Sequence, residues 1–363
     1  MTKPALGPTL DDVTARLWET AEPIDAAACY PSAEIALLGE AGLLAAALPD
    51  GPLLAHNDHL RDTLMRIGAA SLPVGRLYEG HVNAATLVRT YGAGGPAAIL
   101  ADEAAHGRIS AVWNAERGDG PVATRISGGW TIAGRKVHCS GAGSVRRPVV
   151  TARIAEAGDA PALMLLPDMT APGVASDLAV WRASGMRATA TGTVMFDGVF
   201  VADDAVIGEP GDYYRSPLFS GGAWRVLAVQ LGGLQRILAL HADALIRSGR
   251  ERDPVFRARF AAAAGGFELA RLSVAEAARR AQVSEDPAAI DAYVDGARGQ
   301  FETLALAGVD AARRNVGLRS FIAPDPLDRV VRDLETYLRQ PFLDASRDAA
   351  AGYLLPRAGC YPS

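Results

Sequence analysis

The sequence predicts a helical domain, a β domain and a second helical domain in that order, and three observations carry the prediction. Segments with helical apolar spacing, separated by Gly and Pro, fill the chain up to His106. From Arg108 the texture turns to short β-branched runs punctuated by turns. After Ser220 it becomes rich in alanine, with Asp-Pro pairs at 253–254, 286–287 and 325–326. The class is therefore α+β multidomain: an N-terminal all-α domain over 1–108, a central antiparallel β-barrel domain over 109–208 and a C-terminal four-helix bundle over 220–355.

In the first domain Thr9 can cap a helix from Leu10 to about Glu19. Pro31 and Ser32 open a segment whose Ile35, Leu37, Leu38, Leu43 and Leu44 are apolar, before LPDGP stops it. Further helices are expected over Asp58–Ala69, Gly80–Arg89 and Pro96–His106. In the second domain the runs ISAVW, VATRI, WTIAGRKVHC, RPVVTARI, ALMLLP and GTVMFDGVFV have strand length, and Gly128-Gly129 between two of them reads as a hairpin turn. In the third, each Asp of an Asp-Pro pair can accept from free helix N–H groups, and each Pro suits the first helical position. With the run Ala223–Ser248, ended by Gly249, these starts make four long helices.

Length and charge narrow the partners. At roughly 150 residues per domain, 363 residues make two or three domains. The 36 Lys and Arg against 41 Asp and Glu leave a net charge of -5 without a basic run, so neither nucleic acid nor an anionic membrane is indicated. A small molecule is the expected partner. Cys29, Cys139 and Cys360 are odd in number and far apart, which argues against a disulfide framework and fits a reducing cytoplasm. The N-terminal stretch has no apolar segment of the signal type, and no run of about 18 apolar residues exists to span a bilayer.

Generic catalytic motifs are missing. There is no P-loop, no Gly-x-Gly-x-x-Gly between strand and helix, no Gly-x-Ser-x-Gly and no His-x-x-x-His. His56 and His59 stand three apart in a loop-like stretch, a weak basis for a metal, and no metal site is expected.

Two longer stretches are more specific. Gly129-Trp130-Thr-Ile-Ala-Gly134-Arg-Lys136-Val-His138-Cys139-Ser140 resembles the Gly-Trp-x-x-x-Gly-x-Lys-x-x-(Ser/Thr) hairpin of the acyl-CoA dehydrogenase superfamily. Gly185-Met-Arg187-Ala-Thr189, continuing to Val201, is similar to that family's following strand pair, and Arg329-Val-Val-Arg332-Asp333 looks like its closing helix. The resemblance covers nearly the whole chain and implies FAD between the β domain and the bundle, in a homodimer or homotetramer whose neighbouring subunit completes the site. It implies that Trp113 and Asn114 lie beside the isoalloxazine and that Ser140 faces flavin N5. Arg250 or Arg252 would reach the FAD pyrophosphate of the partner subunit.

The family's proton-abstracting carboxylate has no counterpart. Counting eight residues from Asp333 gives Pro341, and the alternative location, the residue before Arg225, is Trp224. Neither side chain accepts a proton. Glu335 reads as a surface residue, and Glu116 and Asp344 are the alternatives to test. The segments around Ser140 and Thr189–Val194 look closer to the branch of flavin-dependent hydroxylases and sulfur-compound monooxygenases. Three readings follow: an oxidoreductase acting on an acyl thioester or related carrier-bound substrate with a non-standard base, a flavin monooxygenase of the same fold, and a catalytically silent binding or assembly protein.

Overall fold

The computed structural model describes residues 7–92, 94–155, 162–339 and 342–360. Helices α1 (Leu10–Ala27), α2 (Ser32–Glu40), α3 (Leu43–Ala46), α4 (Pro52–Ala55), α5 (Asn57–Ala70), α6 (Leu72–Tyr91) and α7 (Gly95–Ala105) come first. The Thr9 cap closes as a box, its hydroxyl accepting from the Asp12 N–H at 3.2 Å while the Asp12 carboxylate accepts from the Thr9 N–H at 2.9 Å. The sixth helix starts eight residues before the expected Gly80. Ser71 caps it and Pro73 sits in its first turn, where a missing N–H costs nothing.

The middle of the chain departs from expectation. Its strands are β1 (Val112–Trp113), β2 (Val122–Ile126), β3 (Gly129–Cys139), β4 (Val149–Ile154), β5 (Leu163–Leu165), β6 (Val174–Asp177), β7 (Gly192–Ala202) and β8 (Val206–Ile207). They form no antiparallel barrel. The order β6-β7-β3-β2-β4-β5-β8 is open, with β6 and β8 as unjoined edges among the described residues. The sheet is also mixed, because β1 and β2 run in the same direction along successive halves of β4, with Val112 opposite Val149 and Val122 opposite Arg153. Hairpin chemistry predicts the local pair β2–β3, and Ile126 does face Gly129 across it. It says nothing about these non-local parallel pairs.

The last third matches closely. Asp253, Asp286 and Asp325 cap α9 (Pro254–Val283), α10 (Pro287–Val316) and α11 (Pro326–Tyr337), accepting from backbone N–H groups at 2.8, 3.1 and 2.9 Å. With α8 (Trp224–Arg247) they form a helical bundle, against which α12 (Leu343–Leu354) packs as an additional helix. Helix α8 also crosses α5 closely, joining the bundle to the N-terminal helices.

A buried histidine pins three segments together. His81 of α6 is fully buried, its Nε2 lies 3.1 Å from the Leu44 carbonyl, and its Nδ1 accepts from the Ser110 N–H at 3.1 Å. An acceptor Nδ1 requires the neutral ring. Burial accordingly lowers its pKa from 6.5 to about 4. The unfolded chain then binds the extra proton between those values, so the contribution is complete above about pH 6.5 and is lost as pH falls toward 4. Its full size is about 3 kcal/mol. Urea midpoints at pH 7.5 and pH 5 should differ more for the wild type than for His81→Gln. Equal differences would exclude the neutral, buried imidazole.

Candidate functional site

A cavity of about 1340 Å³ opens where α6, the β sheet, the segment before α8 and the last helices meet. That exceeds the roughly 300–1,000 Å³ of common small-molecule pockets. Its β-side wall arises from the peculiarity of the sheet. Between β1 and β2 the chain leaves β4 and makes an excursion, tied to β3 by the Val137 N–H donating to the Ala115 carbonyl at 3.0 Å. This detour delivers Asn114, Ala115, Glu116 and Arg117 to the cavity.

Underneath lies Lys136, fully buried, which donates to the Asn114 carbonyl at 2.9 Å, Thr151 Oγ1 at 2.9 Å and Glu116 Oε2 at 2.6 Å. Burial pulls the ammonium's pKa down while Glu116 opposes it. Thr151 in turn donates to Asn114 Oδ1 at 2.7 Å, and the Tyr214 hydroxyl reaches the same oxygen at 3.0 Å. Asn114 is thereby held in one orientation.

The adjoining wall is built on a bulge in β3. The register with β7 shifts between Lys136 and Cys139, and His138 there has φ 55°, which turns the chain so that both His138 and Ser140 line the cavity. Trp113, buried, donates from Nε1 to the Ser140 carbonyl at 3.0 Å. Ser140 Oγ accepts from Thr191 Oγ1 at 3.4 Å, Thr191 lies 2.7 Å from Thr189 Oγ1, and Thr189 donates to the Met186 carbonyl at 2.8 Å. A row of small hydroxyls thus runs beside an indole. Opposite, Tyr213, Tyr214 and Phe219 form an edge-to-face triangle with ring centroids 5.0, 5.4 and 5.2 Å apart.

The deep end is charged. Arg76, Glu79 and Asn83 fall on one face of α6 and line the cavity. Fully buried Glu79 pairs with Arg76 and accepts from the Asn83 amide, and Asn83 Oδ1 accepts from Arg225 Nε at 2.6 Å. The other carboxylates lining the cavity are also paired: Glu116 with Lys136 at 2.6 Å, Asp295 with Arg298 at 3.3 Å and Glu335 with Arg313 at 2.8 Å.

Of the residues expected from sequence, Trp113, Asn114, Ser140 and Glu116 meet at this cavity. Asp344 does not: its side chain is 97% exposed and paired with Arg347, while its neighbours Phe342, Ala345 and Ser346 line the wall. Glu335 is no plain surface residue, because the turn of α11 carries it to the cavity. Trp224 is buried and Pro341 lies outside the described residues. Arg250 and Arg252 follow the far end of the 24-residue α8, about 35 Å along the helix from Arg225. Arg250 lies over the Phe256 ring and Arg252 is exposed, so neither reaches the cavity of its own chain. Arg76, Glu79, Asn83 and the aromatic triangle were not anticipated. A helix drawn from Leu72 would have put the first three on one face. Among the described residues no group of His, Cys, Asp and Glu could hold a metal ion.

No protein-family model and no curated protein sequence matches the chain. Solved structures do. The dibenzothiophene monooxygenase TdsC from Paenibacillus sp. A11-2 superposes with a TM-score of 0.84 at 22% identity, covering 96% of each chain. TdsC has also been solved with FMN and indole. The nitrososynthase from Micromonospora carbonacea var. africana gives 0.81 at 22% identity, over 96% of this chain and 94% of the other. KijD3, in complex with FMN and a dTDP-amino-keto sugar, gives 0.81 at 20% identity, over 98% and 93%. These likenesses establish the acyl-CoA dehydrogenase-like fold for this chain.

Proposed function

We propose that the protein is a flavin-dependent oxygenase acting on a small molecule bound in the cavity. The observation that carries this reading is that, among the described residues, every carboxylate lining the cavity is engaged by a cation. Desaturation of an acyl thioester needs a carboxylate ready to take an α-proton, whereas oxygenation by reduced flavin does not. The resemblance to monooxygenase structures supports the same choice, and so does a deep end whose charges suit no fatty chain.

The residues present suit a flavin. A small hydroxyl able to donate and accept, Ser140, stands beside the Trp113 indole, and the volume admits a tricyclic ring with a second ring against it. When bound, reduced flavin supplies two electrons to O₂, so that one oxygen atom enters the substrate and the other leaves as water. The chain's own part is to position and to exclude water. Ser140, backed by Thr191 and Thr189, offers the hydrogen bond at the reacting edge. Asn114, fixed by Thr151 and Tyr214, holds the adjoining wall, and the aromatic triangle lines the cavity next to it.

FAD is the flavin that the sequence resemblance implies, and FMN is the one found in the TdsC and KijD3 complexes. We assign the pyrophosphate-contacting role to Arg250 or Arg252 of a second subunit, in a homodimer or homotetramer. Exposed Leu269 and Leu272 on α9 offer apolar surface for that contact. A cytoplasmic location completes the proposal. Cys29 and Cys139 are free thiols, and no helix among the described residues is long and apolar enough to cross a membrane.

One preparation tests the reading. Protein incubated with FAD or FMN is run on size exclusion with light scattering and read near the flavin band at about 450 nm. Flavin should co-elute with a dimer or larger species. Supplied with chemically reduced flavin, that fraction should consume O₂ faster when a substrate of the cavity is present. A colourless monomer would leave only the binding-protein reading.

A further inference from the structure

Beyond the choice of reaction, the deep end of the cavity holds two arginines against one carboxylate among the described residues. Arg76, Glu79, Asn83 and Arg225 form a continuous chain with an arginine at each end and one carboxylate between them. Glu79 is committed to Arg76 and Asn83. Arg225 is 8% exposed, its guanidinium lies 5.7 Å from the centroid of the Trp224 ring, and its only hydrogen bond among the described residues is from Nε to Asn83 Oδ1 at 2.6 Å. Its two Nη groups have no hydrogen-bond acceptor among the described residues, yet the side chain lines the cavity. Burial lowers the guanidinium's pKa to about 10 against the opposing charge of Glu79, so it remains a cation at neutral pH. A buried cation with a free planar fork is costly unless an anion completes it.

We propose that Arg225 is the specificity-determining residue of an anion subsite that takes the carboxylate of a small aromatic acid, the substrate class of this cavity. The fork geometry of two parallel N–H groups matches a carboxylate. The aromatic part is argued from the neighbouring wall, where the Tyr213, Tyr214 and Phe219 rings lie within 5.4 Å of one another centroid to centroid. Position is secured by Gly222: a Cβ there would stand 2.5 Å from Arg225 Nη2, so only glycine leaves the guanidinium its place. This assignment rests on the reading of the cavity as a substrate site, but its test requires no turnover.

Benzoate and its neutral counterpart benzamide are titrated into the purified oligomer by calorimetry, with and without flavin. Wild type should bind benzoate at least about ten-fold more tightly than benzamide. Arg225→Gln should bring benzoate down to the level of benzamide and leave benzamide within about two-fold. Gly222→Ala, which keeps the charge but displaces it, should weaken benzoate in the same direction and guards against a folding defect in the first variant. Arg314→Gln, an exposed arginine paired with Asp310 and not among the cavity-lining residues, should leave benzoate unchanged. Equal affinities for benzoate and benzamide in the wild type, or undiminished benzoate binding in both Arg225→Gln and Gly222→Ala, would overturn the subsite. Benzoate binding without any flavin uptake would keep it and reject the oxygenase.

Discussion

Saturated acyl-CoA esters added anaerobically to the flavin-loaded protein are expected to leave the flavin oxidised. With an artificial electron acceptor, turnover on butyryl-, octanoyl- and palmitoyl-CoA should stay at background. General-base catalysis commonly contributes about 10²- to 10⁴-fold, and among the described residues no carboxylate lining the cavity is free of an ion pair to supply it. Trp224 fills one family location with a buried indole. Glu116 is held by a buried lysine, Glu79 by Arg76 and Asn83, and Glu335 by Arg313. Freeing any of them to accept a proton means breaking an ion pair. An acyl chain would in addition leave the cavity-facing guanidinium N–H groups of Arg76 and Arg225 without hydrogen-bond partners, at the usual penalty of about 1–3 kcal/mol or more for each unsatisfied group. Flavin bleaching within seconds of adding one of these esters would refute the assignment and send the search back to Glu116 or Glu335.

The uneven legibility of this sequence has physical causes. Helix starts are local, and the three Asp-Pro caps could be read because a carboxylate bonds N–H groups two or three residues away. The start of α6 is equally local, yet Gly75 stands in its first turns, and glycine disfavours a helix. Gly75 is there for packing: a Cβ would lie 2.6 Å from Val229 Cγ1. That one boundary concealed Arg76 and Glu79, and with them the charged end of the site. The open, mixed sheet was illegible for a different reason. Parallel pairing of β1 and β2 with β4 joins segments some thirty to forty residues apart, and strand composition does not encode partner choice. The family resemblance points to Trp113, Asn114 and Ser140, and their meeting at one cavity depends on the excursion and the bulge that this pairing creates. The ion pairs of the cavity carboxylates connect different elements, as between Arg313 and Glu335, and only the folded chain displays them.

Gly232→Ala and Gly68→Ala should each destabilise the protein by about 3 kcal/mol or more, a large fraction of the roughly 5–15 kcal/mol of a typical domain. Helices α5 and α8 cross at these glycines. A Cβ on Gly232 would stand 2.0 Å from the Met65 carbonyl oxygen, and one on Gly68 would stand 2.3 Å from that of Val229. Both obstacles are backbone atoms, so no rotamer change relieves them and the helices must separate. The opposing gain in helix propensity from Gly to Ala is only about 1 kcal/mol. Gly265→Ala in α9 and Gly296→Ala in α10 provide the contrast, because nothing lies within 4 Å of a Cβ at either position. There the propensity term acts alone and should stabilise by roughly 0.5–1 kcal/mol. Thermal unfolding of the four variants should therefore split into two pairs on opposite sides of the wild type. The crossing variants should also lose selectivity for benzoate over benzamide, since Gly232 lies two turns along α8 from Arg225 on nearly the same face and a displaced helix carries that guanidinium away. If all four alanines shift the transition alike, helix propensity governs these sites and the close crossing of α5 and α8 is not what positions the deep end of the cavity.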